Sequence, residues 1–455
     1  MNINTGKNNP IAWISSLYFA EGVPYLMVMT IALVFYHDIG ISNADVALYT
    51  SWLYLPWVIK PFWSPIVDIY RNKRWWILAM QSLIAVALAG VAFTLELPSF
   101  LEWTLAFFWL MAFSSATHDI AADGFYMLAL SESQQSFYVG IRSTFYRIST
   151  IVTQGGLLLL VSYLQDSMGI DVQTSWQYIF LAVGLFFVLF VAYHHLLLPR
   201  PAADADAKPV SAVSIAKEYF EVFFCFFKKK HIIAAILFML LYRLPEALLV
   251  KICPLFFLDQ AAAGGLSLTK GDLGFIQGTI GIVGLLLGGI LGGMAASRFG
   301  LKRCLWVMAC AISIPDVVYL ILSYSGSVPD WLVVLSDSLV HNGFNFDLRY
   351  EQLLQQLYIA YISIMVCIEQ LGYGFGFTAY MLYMIYISRG EHRTAHYAFC
   401  TGFMALSMMI PGMFAGWLQE QLGYTSFFAL VCVLTCFTFF ATGLVKVEVE
   451  FGKSK

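Results

Sequence analysis

The chain has 455 residues, of which 60% are hydrophobic and only 12% charged, and its mean hydropathy is +0.75. A soluble globular domain carries roughly 25% charged residues, so that class is excluded. A net charge of −3 leaves no electrostatic footprint for nucleic acid.

Apolar runs of about 20 residues between polar breaks predict an all-α membrane protein with about twelve transmembrane helices. The first ten residues are polar, and the apolar run after them is too long for a cleavable signal, so it reads as a retained first span. Six spans are expected at roughly 11–36, 45–67, 74–96, 102–131, 138–164 and 176–198. Six more follow at roughly 231–258, 271–296, 303–325, 357–388, 394–418 and 426–446. This pattern divides the chain into a six-helix bundle (1–198), a cytoplasmic linker (199–230) and a second six-helix bundle (231–455). The linker opens on a Pro/Ala/Asp stretch (199–209) and continues as a short amphipathic helix. It ends in Lys228, Lys229 and Lys230, expected to meet anionic lipid headgroups.

Basic residues orient the chain. With a cytoplasmic N-terminus, Arg71, Lys73, Arg74, Lys228, Lys229, Lys230, Arg298, Lys302 and Arg303 fall on the inner side, and the outer loops hold only Lys270 and Arg349. The positive-inside rule therefore places both termini in the cytoplasm. The outer loop at 326–356 is long and polar, and the sequence leaves open whether a short helix packs there over the outer mouth. The eight cysteines lie in or beside apolar stretches without metal-ligand spacing, so neither disulfides nor a metal site are predicted.

Charges inside the spans carry the functional signal. An ionised side chain at lipid depth is costly unless it faces a partner, water or a transported ion. Glu21 lies in Tyr18-Phe-Ala-Glu21-Gly22-Val-Pro24-Tyr25, where Gly22 and Pro24 weaken the backbone ladder. Asp119 and Asp123 are one turn apart on the fourth span. Lys60 on the second span and Arg147 on the fifth lie at matched depth. Two readings stay open for these four: a proton- or ion-responsive switch, or a static ion pair locking one half. His118 points about 100° away from the aspartates and is either hydrogen-bonded structure or a proton relay.

The seventh span repeats the device of the first, with Tyr242-Arg243-Leu-Pro245-Glu246 placing an acid beside a proline, and two readings stay open: a substrate-path or coupling role, or an intrahelical Arg243–Glu246 pair. Glu369 opens Glu369-Gln370-Leu-Gly372-Tyr373-Gly374-Phe-Gly376 on the tenth span, whose Gly372 and Gly376 form a small-residue packing pattern. Asp316 follows Pro315 on a span expected at the periphery and is read as structural. Lys251 is expected to snorkel to the outer surface. No Gly-rich phosphate loop, metal-ligand spacing or nucleophile triad is apparent. The reading is therefore a non-enzyme with no cofactor and no metal, and ATP is not its energy source.

The chain also repeats itself. Ser64-Pro-Ile-Val-Asp68-Ile-Tyr-Arg71-Asn-Lys73-Arg74 follows the second span, and Gly293-Met-Ala-Ala-Ser297-Arg298-Phe-Gly300-Leu-Lys302-Arg303 follows the eighth. Two halves sharing a basic turn at the same place suggest parallel repeats, as in the major facilitator superfamily.

Lys60-Pro61-Phe62-Trp63-Ser64-Pro65-Ile-Val-Asp68 and Ala116-Thr117-His118-Asp119-Ile120-Ala-Ala-Asp123-Gly124 resemble the AmpG-type muropeptide permeases and the related acetyl-CoA transporter family. Tyr146-Arg147, Tyr242-Arg243 with Glu246, and Glu369 are similar to the same pattern. His118 departs from it, standing where the family usually has Gln, and His396 is likewise substituted. The resemblance implies proton-coupled import of GlcNAc-1,6-anhydroMurNAc peptides across a bacterial inner membrane for peptidoglycan recycling. Asp119, Asp123, Glu21, Glu246, Glu369, Lys60 and His118 are then the expected coupling or gating residues. Arg147 and Arg243 suit the cargo's carboxylates, and Tyr18, Tyr25, Trp63, Tyr146, Tyr242 and Tyr373 suit its sugar rings. The expected partners are a sugar-peptide and membrane lipids, with the protein a monomer. Alternatives are a transporter of the same fold for acetyl-CoA, another anion, a peptide or a siderophore, and a non-transporting membrane sensor or scaffold.

Overall fold

The computed structural model describes residues 9–201, 212–325, 328–341, 350–390 and 392–453. The side chain of Asp68 and most of the expected Pro/Ala/Asp linker lie outside the described residues.

All regular structure among the described residues is helical. The chain runs through α1 (Pro10–Asp38), α2 (Asn43–Trp52), α3 (Leu55–Ile69), α4 (Lys73–Thr94), α5 (Phe100–Ala129), α6 (Glu132–Thr150) and α7 (Val172–Leu197). It continues through α8 (Ala212–Phe227), α9 (Ile232–Leu241), α10 (Leu244–Leu258), α11 (Lys270–Phe299), α12 (Leu301–Ser313) and α13 (Val317–Ser325). Last come α14 (Asp330–His341), α15 (Tyr350–Ile387) and α16 (Arg393–Leu444).

Ten helices among the described residues are long and apolar enough to cross a membrane. They coincide with the expected spans, and the two departures from twelve have local causes. The second span is split into α2 and α3, with Pro56 at the restart. The last two spans run together as α16, bent at Gly423, whose φ of 72° only glycine adopts freely. The 326–356 loop does carry a helix, α14.

The described chain forms two compact units. One comprises residues 1–41, 49–232 and 388–409, and the other 42–48, 233–387 and 410–455.

In the first unit, α1 packs on α5 through small residues and aromatic edges. Trp13 meets Phe125 with ring centroids 5.4 Å apart, and Tyr18 meets Tyr126 at 5.9 Å, beside Ala121 and Ala122. Gly22 lies so close to Ser149 of α6 that a β-carbon has no room. After Pro24 the backbone of α1 loosens into a π-helical turn, Met27–Ile31. The amphipathic α8 buries Val222 and Phe226, the latter against Phe399 and His396, and exposes Phe220 and Phe224. Beyond α8, Lys228 and Lys230 are exposed while Lys229 donates to the Arg389 carbonyl at 2.7 Å.

In the second unit, a glycine stripe at 284, 288 and 292 on α11 recurs every fourth residue and therefore lies on one face. That face abuts α15 so closely that a β-carbon on Gly284 would sit 2.7 Å from the Cys367 carbonyl, and one on Gly292 2.8 Å from that of Phe375. Gly372 and Gly376 do the same for α15 against α12, facing Ala311 and Met308. This close approach fixes the height at which Glu369 on α15 meets the neighbouring helices. Lys251 does not snorkel. It is only 1% exposed, because α10 is buried on nearly every side from Pro245 to Phe257.

Candidate functional site

Each unit gathers acidic side chains from several helices into one buried cluster. In the first unit, Glu21 of α1 joins Asp119 and Asp123 of α5, with one carboxylate oxygen of each lying within 4.8 Å of the others. Both aspartates have cationic partners. Lys60 of α3 pairs with Asp119, the two side chains being 22% and 21% exposed. Arg142 of α6 pairs with Asp123 at 2.6 Å. Tyr18 donates to the same Asp123 oxygen at 3.1 Å, and the Arg142 guanidinium lies 4.3 Å from the Tyr18 ring centroid. Glu21 is buried, and its Oε2 has no hydrogen-bond partner among the described residues.

The basic residue on α6 that meets the aspartates is thus Arg142, which sequence reasoning missed. Arg147, matched by depth, is half-buried and is not among the ion pairs of the cluster. Matched depth would have offered either, although 142 and 147 are about 500° apart along the helix and so point about 140° from one another around its axis, and only one of them can face the aspartates. Residue counting along a span does not separate them.

The aromatic residues named from the sequence fall in different settings. Tyr18 lies in the acidic cluster itself. Tyr25 packs edge-on to Trp57 at 5.3 Å, and Trp63 packs on Phe113 at 5.5 Å. Tyr146 is half-buried, and its carbonyl accepts from Ser149 at 2.6 Å. His118 is fully buried and faces α4, where the Gln81 amide nitrogen donates to its Nε2 at 3.0 Å. The Gln81 oxygen in turn accepts from His194 Nδ1 at 3.0 Å, so one amide bridges two imidazoles.

The second unit is built differently. Between α9 and α10 the helix breaks at Arg243 (φ −110°, ψ 17°), two residues before Pro245. Carbonyls around the break find side-chain donors instead: Tyr380 hydroxyl to Met239 at 2.8 Å, and Thr438 to Tyr242 at 3.1 Å. Tyr242 spends its own hydroxyl on the Gly376 carbonyl at 3.1 Å. The Arg243 guanidinium donates to the Tyr373 hydroxyl and lies 4.7 Å from the Phe377 centroid and 5.7 Å from that of Tyr380. Arg243 is therefore buried in an aromatic cage.

Glu246, Asp316 and Glu369 meet in this unit, again with carboxylate oxygens within 4.8 Å of one another, and all three are buried. Glu369 Oε2 accepts from the Tyr319 hydroxyl at 3.1 Å and from Gln370 at 2.9 Å. Asp316 is the unexpected member. Pro315 interrupts the helix, and the chain makes a 3₁₀ turn at Ile314–Asp316 before resuming as α13. That turn carries the Asp316 carboxylate to the other two. The available signal was the Pro315-Asp316 dipeptide, which marks a break as clearly as Pro245-Glu246 does.

A further polar cluster was invisible to charge-based reasoning. Asn43 donates to Asp259 at 3.0 Å and to Gln419 at 3.1 Å, and the Tyr424 hydroxyl donates to Asp259, all within the second unit.

Comparison with known proteins agrees with this architecture. The Major Facilitator Superfamily profile matches residues 14–346. A Rickettsia conorii protein named as a transporter, AmpG 4, is 24% identical over 432 residues, 92% of each chain. The anhydromuropeptide permease of Escherichia coli K12 is 24% identical over 382 residues, 82% of this chain and 67% of that protein. Among solved structures, the nucleoside transporter NupG matches with a TM-score of 0.66 at 14% identity, covering 96% of this chain and 98% of its own. A D-xylose-proton symporter matches at 0.65 and 12% identity, over 98% of both chains. These structural likenesses show the fold. With apolar helices of membrane-spanning length and a profile match over well more than half its residues, the chain is an integral membrane protein that belongs to the major facilitator superfamily.

Proposed function

We propose that this protein is a proton-coupled secondary transporter that imports sugar-peptides of the anhydromuropeptide class across the bacterial inner membrane, with both termini cytoplasmic. The observation that carries the reading is the acidic cluster of the first unit, where Asp119 and Asp123 share one helix face and each holds a cation from another helix. Protonating either aspartate releases its partner, Lys60 or Arg142, and so changes which arrangement of α3, α5 and α6 is preferred. That is a way for a proton to bias alternating access.

The anhydromuropeptide permease of Escherichia coli, similar over 82% of this chain, supports the cargo class. The chemistry is compatible: peptide carboxylates suit arginine, and sugar rings suit aromatic faces. Arg147 and Tyr146 in the first unit and Arg243 and Tyr373 in the second are the residues assigned to those tasks. For Arg243 the task requires leaving Tyr373, its present acceptor. The proposed role is non-enzymatic and needs no cofactor beyond the proton gradient.

Transport of labelled anhydromuropeptide into proteoliposomes, with and without an imposed proton gradient, tests the reading. Accumulation above equilibrium is expected only with the gradient. At least one of Asp119→Asn, Asp123→Asn and Glu246→Gln is expected to abolish its pH dependence. Counterflow by acetyl-CoA, a peptide or a siderophore in place of the sugar-peptide overturns the cargo. Binding without flux of any of them overturns the transporter reading.

A further inference from the structure

We propose that Glu246, Asp316 and Glu369 form a binding site for a monovalent cation of the sodium class within the second unit. Their carboxylate oxygens come from α10, the 3₁₀ turn at 314–316 and α15, and lie within 4.8 Å of one another. Dividing 4.8 Å by √3 shows that some point lies within about 2.8 Å of all three, close to the oxygen distances of hard cations.

A cluster of acids alone does not make a site, and here a second feature points to a ligand. Asp316 is 2% exposed, and its Oδ1 has no hydrogen-bond partner among the described residues. A buried carboxylate oxygen without a donor is satisfied by a proton or by a bound cation, and the meeting of three carboxylates around one point favours the cation. Among the described residues neither Asp316 nor Glu369 forms an ion pair with Lys or Arg. The cation on the neighbouring break, Arg243, has its guanidinium turned to Tyr373 and the rings around it. Arg243 also attracts the Glu246 carboxylate through space, and the other groups facing Asp316 and Glu369 are the Tyr319 hydroxyl and the Cys253 thiol, neither of them cationic. Tyr319 and Gln370 both donate to Oε2 of Glu369, so they orient that carboxylate and leave Oε1 for another partner. In the first unit the protein supplies its own cations, Lys60 and Arg142. In the second the positive charge comes from solution.

Backbone geometry favours an ion. Two of the three contributing segments are interrupted beside their acids, at Arg243 and at Pro315. Interrupted helices are where membrane transporters commonly hold coupling ions, and here the carboxylates supply the oxygens, since the Met239 and Tyr242 carbonyls already accept from Tyr380 and Thr438. An all-oxygen donor set selects hard cations over transition metals. A coupling ion must leave within a transport cycle, and a single charge leaves a carboxylate site in a low-dielectric interior more readily than a double one, so we assign the site to a monovalent ion.

The inference concerns ion binding and stands apart from the cargo. It is tested on the purified full-length protein in detergent, with radioactive sodium in a scintillation proximity assay. Saturable binding is expected, displaced by unlabelled sodium and not by choline. Asp316→Asn and Glu369→Gln are each expected to weaken it by roughly tenfold or more. Sodium is also expected to raise the melting temperature of the unsubstituted protein. Two results overturn the proposal: no saturable binding by the folded, unsubstituted protein, or binding unchanged in both variants. Displacement by calcium at far lower concentration than by sodium overturns the monovalent assignment. Should the Asp316 variant fail to fold, Glu369→Gln and the melting shift of the unsubstituted protein still decide. Because no cargo is present, a negative result leaves the transport reading intact, and failed sugar-peptide uptake leaves the binding result intact.

Discussion

The two acidic clusters use three carboxylates each and solve the same electrostatic problem in opposite ways. In the first unit, Asp119 and Asp123 are partly exposed and each is neutralised by a basic side chain on another helix. In the second, Glu246, Asp316 and Glu369 are all buried, and the groups bonded to Glu369 are a tyrosine and a glutamine. Paired charges make the first cluster a set of latches, because removing either member leaves the other stranded. Arg243 acts on Glu246 alone, and the like charges of Asp316 and Glu369 make the second a receptor, because occupancy by a cation relieves them. The same residue type therefore predicts opposite responses to substitution in the two places.

Lys60→Met is the strongest way to break that contrast. It leaves Asp119 without its cation, and we expect a loss of about 3 kcal/mol after allowing for partial exposure of the pair. The loss is read from denaturant unfolding in detergent, and the double variant with Asp119→Asn is expected to recover most of it. A neutral Lys60→Met would show that the ion pair is incidental.

Gly288→Val separates scaffold from cluster. Its β-carbon would run into the Leu371 backbone and push α11 off α15, at a cost of about 2 kcal/mol. Gly293→Val on the same helix meets open space and serves as its control, which cancels the intrinsic helix preference common to both.

In sodium-free buffer, Asp316→Asn is expected to go the other way and stabilise by about 1 kcal/mol, since it removes a buried like charge. Destabilisation in that buffer would erase the contrast between the two units. The smallest change is expected for His118→Gln, within about 0.5 kcal/mol in the same unfolding assay, because a second amide can bond to Gln81 in place of the imidazole. A large loss would give His118 a part beyond its hydrogen bond.

Much of the architecture was legible in one dimension because lipid imposes a length and a composition on every span. The boundaries expected for the fourth and sixth spans differ from α5 and α7 by only a few residues at either end. The acids of both clusters announced themselves by standing in apolar runs, as Glu21, Asp119 and Glu369 do. Partner choice was harder to read. Arg142 and Arg147 are equally basic and sit on the same helix, and only the rotation of α6 against α5 selects Arg142. Lys251 shows the same limit: a lysine near a span end can snorkel, yet α10 is enclosed and holds it inside.

The sequence by itself determined that this chain lives in a membrane, that it is helical, and that it keeps charges where they are expensive. Those properties follow from transfer free energies, which act residue by residue. Only the tertiary structure decided which charges meet. Asp316 illustrates the difference: Pro315 marks a break beside it, but only the turn there and the close packing of α12 on Gly372 bring it to Glu246 and Glu369. Electrostatic energy falls with distance through space, and distance through space is not written along the chain.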